Sequence, residues 1–126
     1  MIQFRWFMWQ LVWRFKIMSR RDASLRDLLK DKQLIIRIQV QSCIRYLGFD
    51  DGSVLLIKNF SAEPSLTLEC ASVQLAKNMI HSATVGDNFW LLALRDRRIK
   101  MTGDMGLLLW FFGLCRHLKL RRMVRR

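Results

Sequence analysis

The chain has 126 residues, of which 52% are hydrophobic, and 22 lysines and arginines against 10 aspartates and glutamates give it a formal net charge of +12. This hydrophobic fraction excludes a disordered chain, and the length fits one domain that buries about two-thirds of its unfolded surface. The charge indicates an anionic partner, which is nucleic acid, phospholipid head groups or an acidic protein.

The N-terminal segment is rich in tryptophan and phenylalanine, but Arg5, Arg14 and Lys16 interrupt it. It therefore lacks the ~20 apolar residues that a membrane span needs, and no signal-peptide cleavage site follows it. As a helix it has two apolar faces. One face carries Phe4, Phe7, Met8, Leu11, Phe15 and Met18, and the other carries Ile2, Trp6, Trp9, Trp13 and Ile17.

Two apolar faces on one helix need two apolar neighbours. We predict that the Phe/Met/Leu face packs on the domain and that Trp6, Trp9 and Trp13 contact a membrane. Tryptophan prefers the bilayer interface, and flanking cations can reach lipid phosphates. Burial of both faces within a homodimer is the alternative.

A basic tail follows the last apolar segment. It contains Arg121, Arg122, Arg125 and Arg126. Each cation near an anionic bilayer contributes about 1 kcal/mol of attraction. Both ends of the chain are therefore predicted to contact a membrane, which places the protein in the cytoplasm, peripheral on the inner face of the membrane.

The hydrophobic period changes from 3.6 to 2 at residue 33, which predicts a β-strand with one dry face. That face is Leu34, Ile36, Ile38 and Val40. Two further strands surround Asp51-Gly52, which is typical of a tight hairpin turn. A fourth strand follows the loop at residues 61–64. Its inward residues are Leu66, Leu68 and Cys70. We predict four antiparallel strands in sequence.

The helices that cover the dry face of the sheet are predicted to follow the fourth strand, over residues 72–81 and 87–95. Residues 97–104 alternate again and predict a fifth strand, with Ile99 and Met101 inward. Asp104 is expected to cap the final helix, because its carboxylate can accept hydrogen bonds from free backbone N–H groups. The cysteines lie in apolar segments and are predicted to be reduced core residues. They are Cys43, Cys70 and Cys115.

The second half of the chain carries three short segments in a restricted order. They are Phe89-Trp90, Arg98-Ile99-Lys100-Met101 and Gly103-Asp104-Met105. With the strands before them, they resemble the sterol carrier protein 2 family over about residues 33–118, although Asp96 stands where the family commonly has glycine. The tryptophan-rich start is closer to stand-alone bacterial members, some of which resemble accessory factors of ubiquinone biosynthesis.

The resemblance implies an α+β fold. The expected architecture is a five-stranded, mainly antiparallel sheet with helices on one face, an apolar tunnel that holds a lipid, and an extra N-terminal amphipathic helix. We divide the chain into an N-terminal helical segment (residues 1–32), a lipid-binding domain (33–120) and a basic tail (121–126).

The final helix is apolar around its whole circumference as far as Cys115, so it needs apolar neighbours on more than one side. Gly106 and Gly113 lie on nearly the same line of this helix and leave a groove. Close packing of another helix and an acyl or isoprenoid chain both fit that groove. The predicted lipid site comprises Phe89, Trp90, Met105, Leu108, Leu109, Phe112 and the two glycines, with Gly103 and Asp104 as the motif that precedes it.

Catalytic and metal-binding motifs are missing from the sequence, which has only two histidines. We predict a non-enzymatic protein without a cofactor or metal ion. Its ligand would be a fatty acyl chain, a phospholipid or an isoprenoid quinone precursor, held at a membrane surface. A biosynthetic enzyme complex is a further partner, which would make the protein an accessory factor of ubiquinone biosynthesis.

Two other functions compete with lipid binding. One is a basic nucleic-acid-binding module that uses Arg95, Arg97, Arg98, Lys100 and the basic tail. Against it, the aromatic residues lie in apolar runs and do not alternate with cations on a stacking platform, so we predict no specific nucleic-acid partner. The other is a structural subunit of a membrane-associated complex.

Overall fold

The structure is a computed structural model that describes residues 2–118, with Ile2 described by its backbone alone. This part of the chain forms five helices and five strands. They are α1 (Ile2–Arg21), α2 (Ala23–Leu29), β1 (Gln33–Val40), β2 (Cys43–Asp50), β3 (Ser53–Ile57), β4 (Leu66–Cys70), α3 (Val73–Val85), α4 (Phe89–Arg95), β5 (Ile99–Gly103) and α5 (Met105–Cys115). The predicted basic tail lies outside the described residues.

The five strands form one mixed sheet in the order β3-β2-β1-β4-β5. The β1/β2 and β2/β3 pairs are antiparallel, as predicted, and the β4/β5 pair is antiparallel as well, but β4 runs parallel to β1. The prediction of four antiparallel strands in sequence is therefore wrong for β4. The chain returns across the sheet after β3 and enters beside the free edge of β1, where Leu66 pairs with Ile36. A period of 2 is common to parallel and antiparallel strands, so the alternation alone does not distinguish them.

The predicted hairpin and dry faces are confirmed. Asp51 and Gly52 have φ angles of 45° and 95°, which suit the primed turns that join twisted antiparallel strands. The dry side of the sheet is almost completely buried. It includes Ile36, Ile38, Val40, Leu47, Phe49, Val54, Leu66, Leu68, Cys70 and Ile99.

Helix α1 covers part of this dry side, packing against β2 and β3. Its Phe/Met/Leu face is buried, as predicted, and the ring of Phe15 meets that of Phe49 edge-on at 6.1 Å. The expectation that the sheet is covered only by helices after the fourth strand is therefore wrong. The core stays continuous because α1 contributes large apolar side chains to the same cluster as β2, α3 and α5. No helix between residues 2 and 118 has both the length and the hydropathy to cross a bilayer.

Gly103 ends β5 in a backbone conformation that only glycine adopts without strain, with φ of 127°. A Cβ atom there would lie 2.7 Å from the carbonyl oxygen of Ser65. We expect Gly103→Ala to lower the free energy of unfolding by about 2 kcal/mol or more, as measured by urea denaturation.

Gly113→Ala is the matched control, because a Cβ there has no neighbour within 4 Å. This change should leave stability unchanged or raise it by up to about 1 kcal/mol, since alanine favours helices. Equal losses in the two variants would contradict the assignment of strain to Gly103.

Candidate functional site

The inner side of α5 is closely packed. Its buried residues are Leu108, Phe111, Phe112, Leu114 and Cys115. The ring of Trp90 from α4 lies 4.6 Å from that of Phe112, so two of the predicted site residues are in contact. Phe89, in contrast, is half-buried beneath the guanidinium of Arg98, 5.3 Å from the ring centre.

The outer side of α5 remains open to solvent. Met105 and Leu109 are 47% and 53% exposed, and Gly113 has no atom within 4 Å of where its Cβ would stand. At Gly106, a Cβ would meet the carboxylate of Asp104 at 3.3 Å. The eight predicted lipid-site residues therefore form an inner group around Trp90 and Phe112 and an outer strip on α5. Phe112 lies beside this strip on the helix surface.

The Gly103-Asp104 motif positions the start of α5. Asp104 accepts a hydrogen bond from the backbone N–H of Gly106 at 2.8 Å, which confirms the predicted N-cap. Since Gly103 is also required by the backbone at the end of β5, the structure gives both residues a local structural role.

Trp110, which the sequence analysis did not single out, fixes the middle of α5. Its indole N–H donates to the carbonyl oxygen of Leu28 at 3.2 Å, and its ring meets Phe49 edge-on at 5.1 Å. The ammonium of Lys32 lies 5.7 Å from the centre of the same ring. The only sequence signal for this role is an indole N–H within an apolar helix, which needs a partner when it is buried.

Asp22 joins the end of α5 to the start of α2. Its carboxylate accepts hydrogen bonds from the N–H groups of Ser24 and Leu25, and its Oδ2 lies 2.8 Å from Nδ1 of His117. The hydrogen bond with His117 is the main cause that lowers the pKa of the Asp22 carboxyl, and the two backbone N–H groups act in the same direction.

We expect Asp22→Asn to lower the melting temperature at neutral pH. A carboxyl with a lowered pKa in the folded state stabilises the fold above its unfolded pKa of about 4, and this contribution is lost as the pH falls through the folded value. The difference between variant and parent should therefore shrink on acidification. Asp27→Asn, an exposed change within α2, the helix that Asp22 caps, is the control. A constant difference from neutral to acid pH would contradict this role.

The three tryptophans on the second face of α1 are exposed. Trp6, Trp9 and Trp13 are 59%, 50% and 44% exposed, and their rings stack along the helix with centres 5.3 and 6.3 Å apart. The described chain therefore leaves these three side chains uncovered, and their contact with a membrane stays a prediction. Arg121, Arg122, Arg125 and Arg126, predicted to share that contact, lie outside the described residues.

Two open depressions lie where α1 runs along the edge strand β3. One, of about 540 Å³, is lined by Arg5, Trp6, Trp9, Arg45, Leu56 and Lys58. The other, of about 270 Å³, is lined by Lys16, Ser19, Arg20 and residues 52–55. Neither set of lining residues includes an aspartate or glutamate. Arg5, Arg45 and Lys58 come from distant parts of the chain, so no local sequence pattern predicts that they lie together.

The cysteines offer no reactive thiol in the packed interior. Burial raises the pKa of Cys70 to about 12 and raises that of Cys115 as well, so both thiols stay protonated near neutral pH. The prediction that they are core residues is confirmed, while Cys43 is only half-buried. Within residues 2–118, no three histidine, cysteine, aspartate or glutamate side chains form a group that could hold a metal ion.

The cations considered for nucleic acid lie around the turn before β5. Arg95 and Arg98 form exposed ion pairs with Asp96, at 3.5 and 3.7 Å. Arg97 has a φ of 62°, so the residue in the left-handed conformation in this turn is an arginine. Lys100 lies opposite Glu69 on the neighbouring strand. Carboxylates thus accompany several of these cations.

Comparisons with known proteins give a match in structure and none in sequence. No family profile and no curated protein matches the chain. A solved structure described as "UbiJ-SCP2 Ubiquinone synthesis protein" superposes with a TM-score of 0.57 at 16% identity, covering 77% of this chain and 75% of that one.

The sec-alkylsulfatase Pisa1 from Pseudomonas sp. matches with a TM-score of 0.56 at 15% identity. The match covers 71% of this chain but only 14% of the sulfatase, so it concerns a small part of that enzyme. At these identities the likeness concerns the fold. The chain has the sterol carrier protein 2-like fold that its second half predicted.

Proposed function

We propose that the protein is a non-catalytic lipid-binding module that holds an acyl or isoprenoid chain at the surface of an anionic membrane. The observation that carries the proposal is the sterol carrier protein 2-like fold, which spans 77% of the chain in the match to UbiJ-SCP2. The name of that protein refers to ubiquinone synthesis, so we include isoprenoid quinone precursors among the ligands and an accessory role in that pathway as the biological setting.

The ligand is proposed to lie against α5. Trp90 and Phe112 would form the floor of the site, and the exposed Met105 and Leu109 would border its entrance, where Gly113 leaves open space. Exposed apolar side chains beside a packed aromatic pair form a surface to which a hydrocarbon chain can bind favourably, because binding removes apolar area from water. The tunnel implied by the family resemblance would continue from this entrance towards the core.

The membrane surface is the proposed partner of α1. Exposed tryptophans near the cations that line the two depressions fit the interface between head groups and hydrocarbon, where indole rings and long basic side chains are both favoured. The proposal therefore includes peripheral attachment on the cytoplasmic side of the membrane. It also includes the division of the chain into a helical segment (residues 1–32), a lipid-binding domain (33–120) and a basic tail (121–126).

The test of ligand binding is Gly113→Leu, with retention of a fluorescent fatty acid as the measurement. Because the position is open, the leucine should fit without lowering the melting temperature. It should weaken probe binding by about tenfold or more, since overfilling an occupied site costs about 1–3 kcal/mol. Gly113→Ala is the control for helix propensity. A Gly113→Leu variant that keeps its stability and binds the probe as tightly as the parent would overturn this placement.

A further inference from the structure

The larger depression beside α1 brings together three cations from three parts of the chain. Arg5 comes from α1, Arg45 from β2, and Lys58 from the residue after β3. Trp6 and Trp9, whose side chains are exposed, line the same depression as these cations. The depression measures about 540 Å³, which is ample for a phosphate group and its glycerol.

These three cations are without carboxylate partners in the described part of the chain. The ion pairs there join Arg95 and Arg98 to Asp96 and His117 to Asp22. Three positive charges around one depression repel each other, and this cost is removed when an anion binds between them. The depression is therefore complementary in charge to a phosphate.

The tryptophan rings favour a bilayer over a nucleic acid as the source of that phosphate. The planes of Trp6 and Trp9 are inclined by 18° and those of Trp9 and Trp13 by 11°, so the three rings already stack on one another along α1. Base stacking on a single strand needs accessible ring faces. A row of indole edges beside cations instead suits the head-group region of a membrane.

We infer that Arg5, Arg45 and Lys58 bind the phosphate head group of an anionic membrane lipid while Trp6 and Trp9 enter the bilayer interface. This inference rests on the proposed membrane function and assigns a specific site to it. The site would fix the orientation of α1 on the bilayer, with the edge of the sheet at β3 directed towards the head groups.

The experiment compares two variants that lose the same charge. The site variant is Arg5→Gln/Arg45→Gln/Lys58→Gln, and the control is Arg95→Gln/Arg97→Gln/Lys100→Gln near the opposite edge of the sheet. Partitioning is measured on vesicles of equal parts phosphatidylglycerol and phosphatidylcholine and on phosphatidylcholine alone. Circular dichroism and melting temperature check that both variants are folded. Inorganic phosphate and a single-stranded oligonucleotide are titrated separately, with tryptophan fluorescence as the signal.

We expect the site variant to lose about 100-fold in partitioning on phosphatidylglycerol vesicles and the control to lose about threefold or less, because attraction falls off within a Debye length. Equal losses would overturn the site and leave the proposed membrane function standing. Saturable binding of phosphate alone would overturn the assignment to a membrane lipid. Oligonucleotide binding that depends on the three cations and resists ~0.2 M salt would assign the surface to nucleic acid. Failure of the parent protein to bind either type of vesicle would refute the membrane function itself.

Discussion

Simultaneous replacement of Trp6, Trp9 and Trp13 by alanine is expected to abolish the fraction of vesicle binding that survives high salt. Salt screens the attraction between cations and head groups but not the transfer of indole rings into the interface. The three rings are about half exposed, and losing that transfer should weaken salt-resistant partitioning by about 100-fold or more. Flotation with anionic vesicles at low and high salt measures the two components.

The variant should remain folded, because the core contacts of α1 come from its opposite face. Leu91→Ala, which removes an exposed apolar side chain from α4, is the control and should leave partitioning unchanged. Removal of Arg121, Arg122, Arg125 and Arg126 is predicted to weaken only the salt-sensitive component. Flotation that none of these changes affects would rule out both proposed contacts.

Phe111→Ala is expected to lower the free energy of unfolding by about 3–5 kcal/mol, the usual cost of removing a fully buried phenylalanine. The side chain is completely buried, with ring centres 6.5 Å from Phe15 and 6.4 Å from Phe49. It therefore lies where α1, the sheet and α5 meet. Urea denaturation measures the change.

Leu109→Ala changes a residue on the exposed side of the same helix, and it distinguishes a role in core packing from a role in ligand binding. It should change stability by no more than about 0.5 kcal/mol, because the side chain has little packing to lose. If the proposed entrance is correct, the same change should weaken binding of the fluorescent fatty acid. A large loss of stability in Leu109→Ala would show that this side of α5 serves packing.

Local features of the fold were predictable because they depend on residues close together in sequence. The strand alternation in β1 and β4, the Asp51-Gly52 turn and the Asp104 cap each follow from a backbone preference or a period of 2. The two faces of α1 were also predictable, since a 3.6-residue period separates the phenylalanines from the tryptophans.

Features that depend on pairing between distant segments were not predictable. The direction of β4 beside β1 is set by the route of the chain across the sheet, which no local pattern records. The contact between Asp22 and His117 joins residues 95 positions apart, and the cationic depression unites Arg5 with Arg45 and Lys58. Each of these residues is individually ordinary in its local sequence.

The final helix shows the limit of composition as a guide to burial. Its apolar circumference implies neighbours on every side. In the described chain, however, Met105 and Leu109 remain about half exposed. An apolar sequence indicates that covering the helix is energetically favourable, because it removes apolar surface from water. It does not identify whether protein, membrane or ligand covers the helix. That outer strip is where the proposed ligand has to be sought.

Native mass spectrometry of the protein purified from its own host tests the central claim most directly. The account predicts a species heavier than the polypeptide by the mass of one hydrophobic molecule, which is released on activation or solvent extraction and identified as an acyl or isoprenoid lipid. The delipidated protein should take up one equivalent of such a lipid again. A polypeptide that carries no lipid from its host, and takes up neither acyl nor isoprenoid lipids after delipidation, would contradict lipid binding as its function.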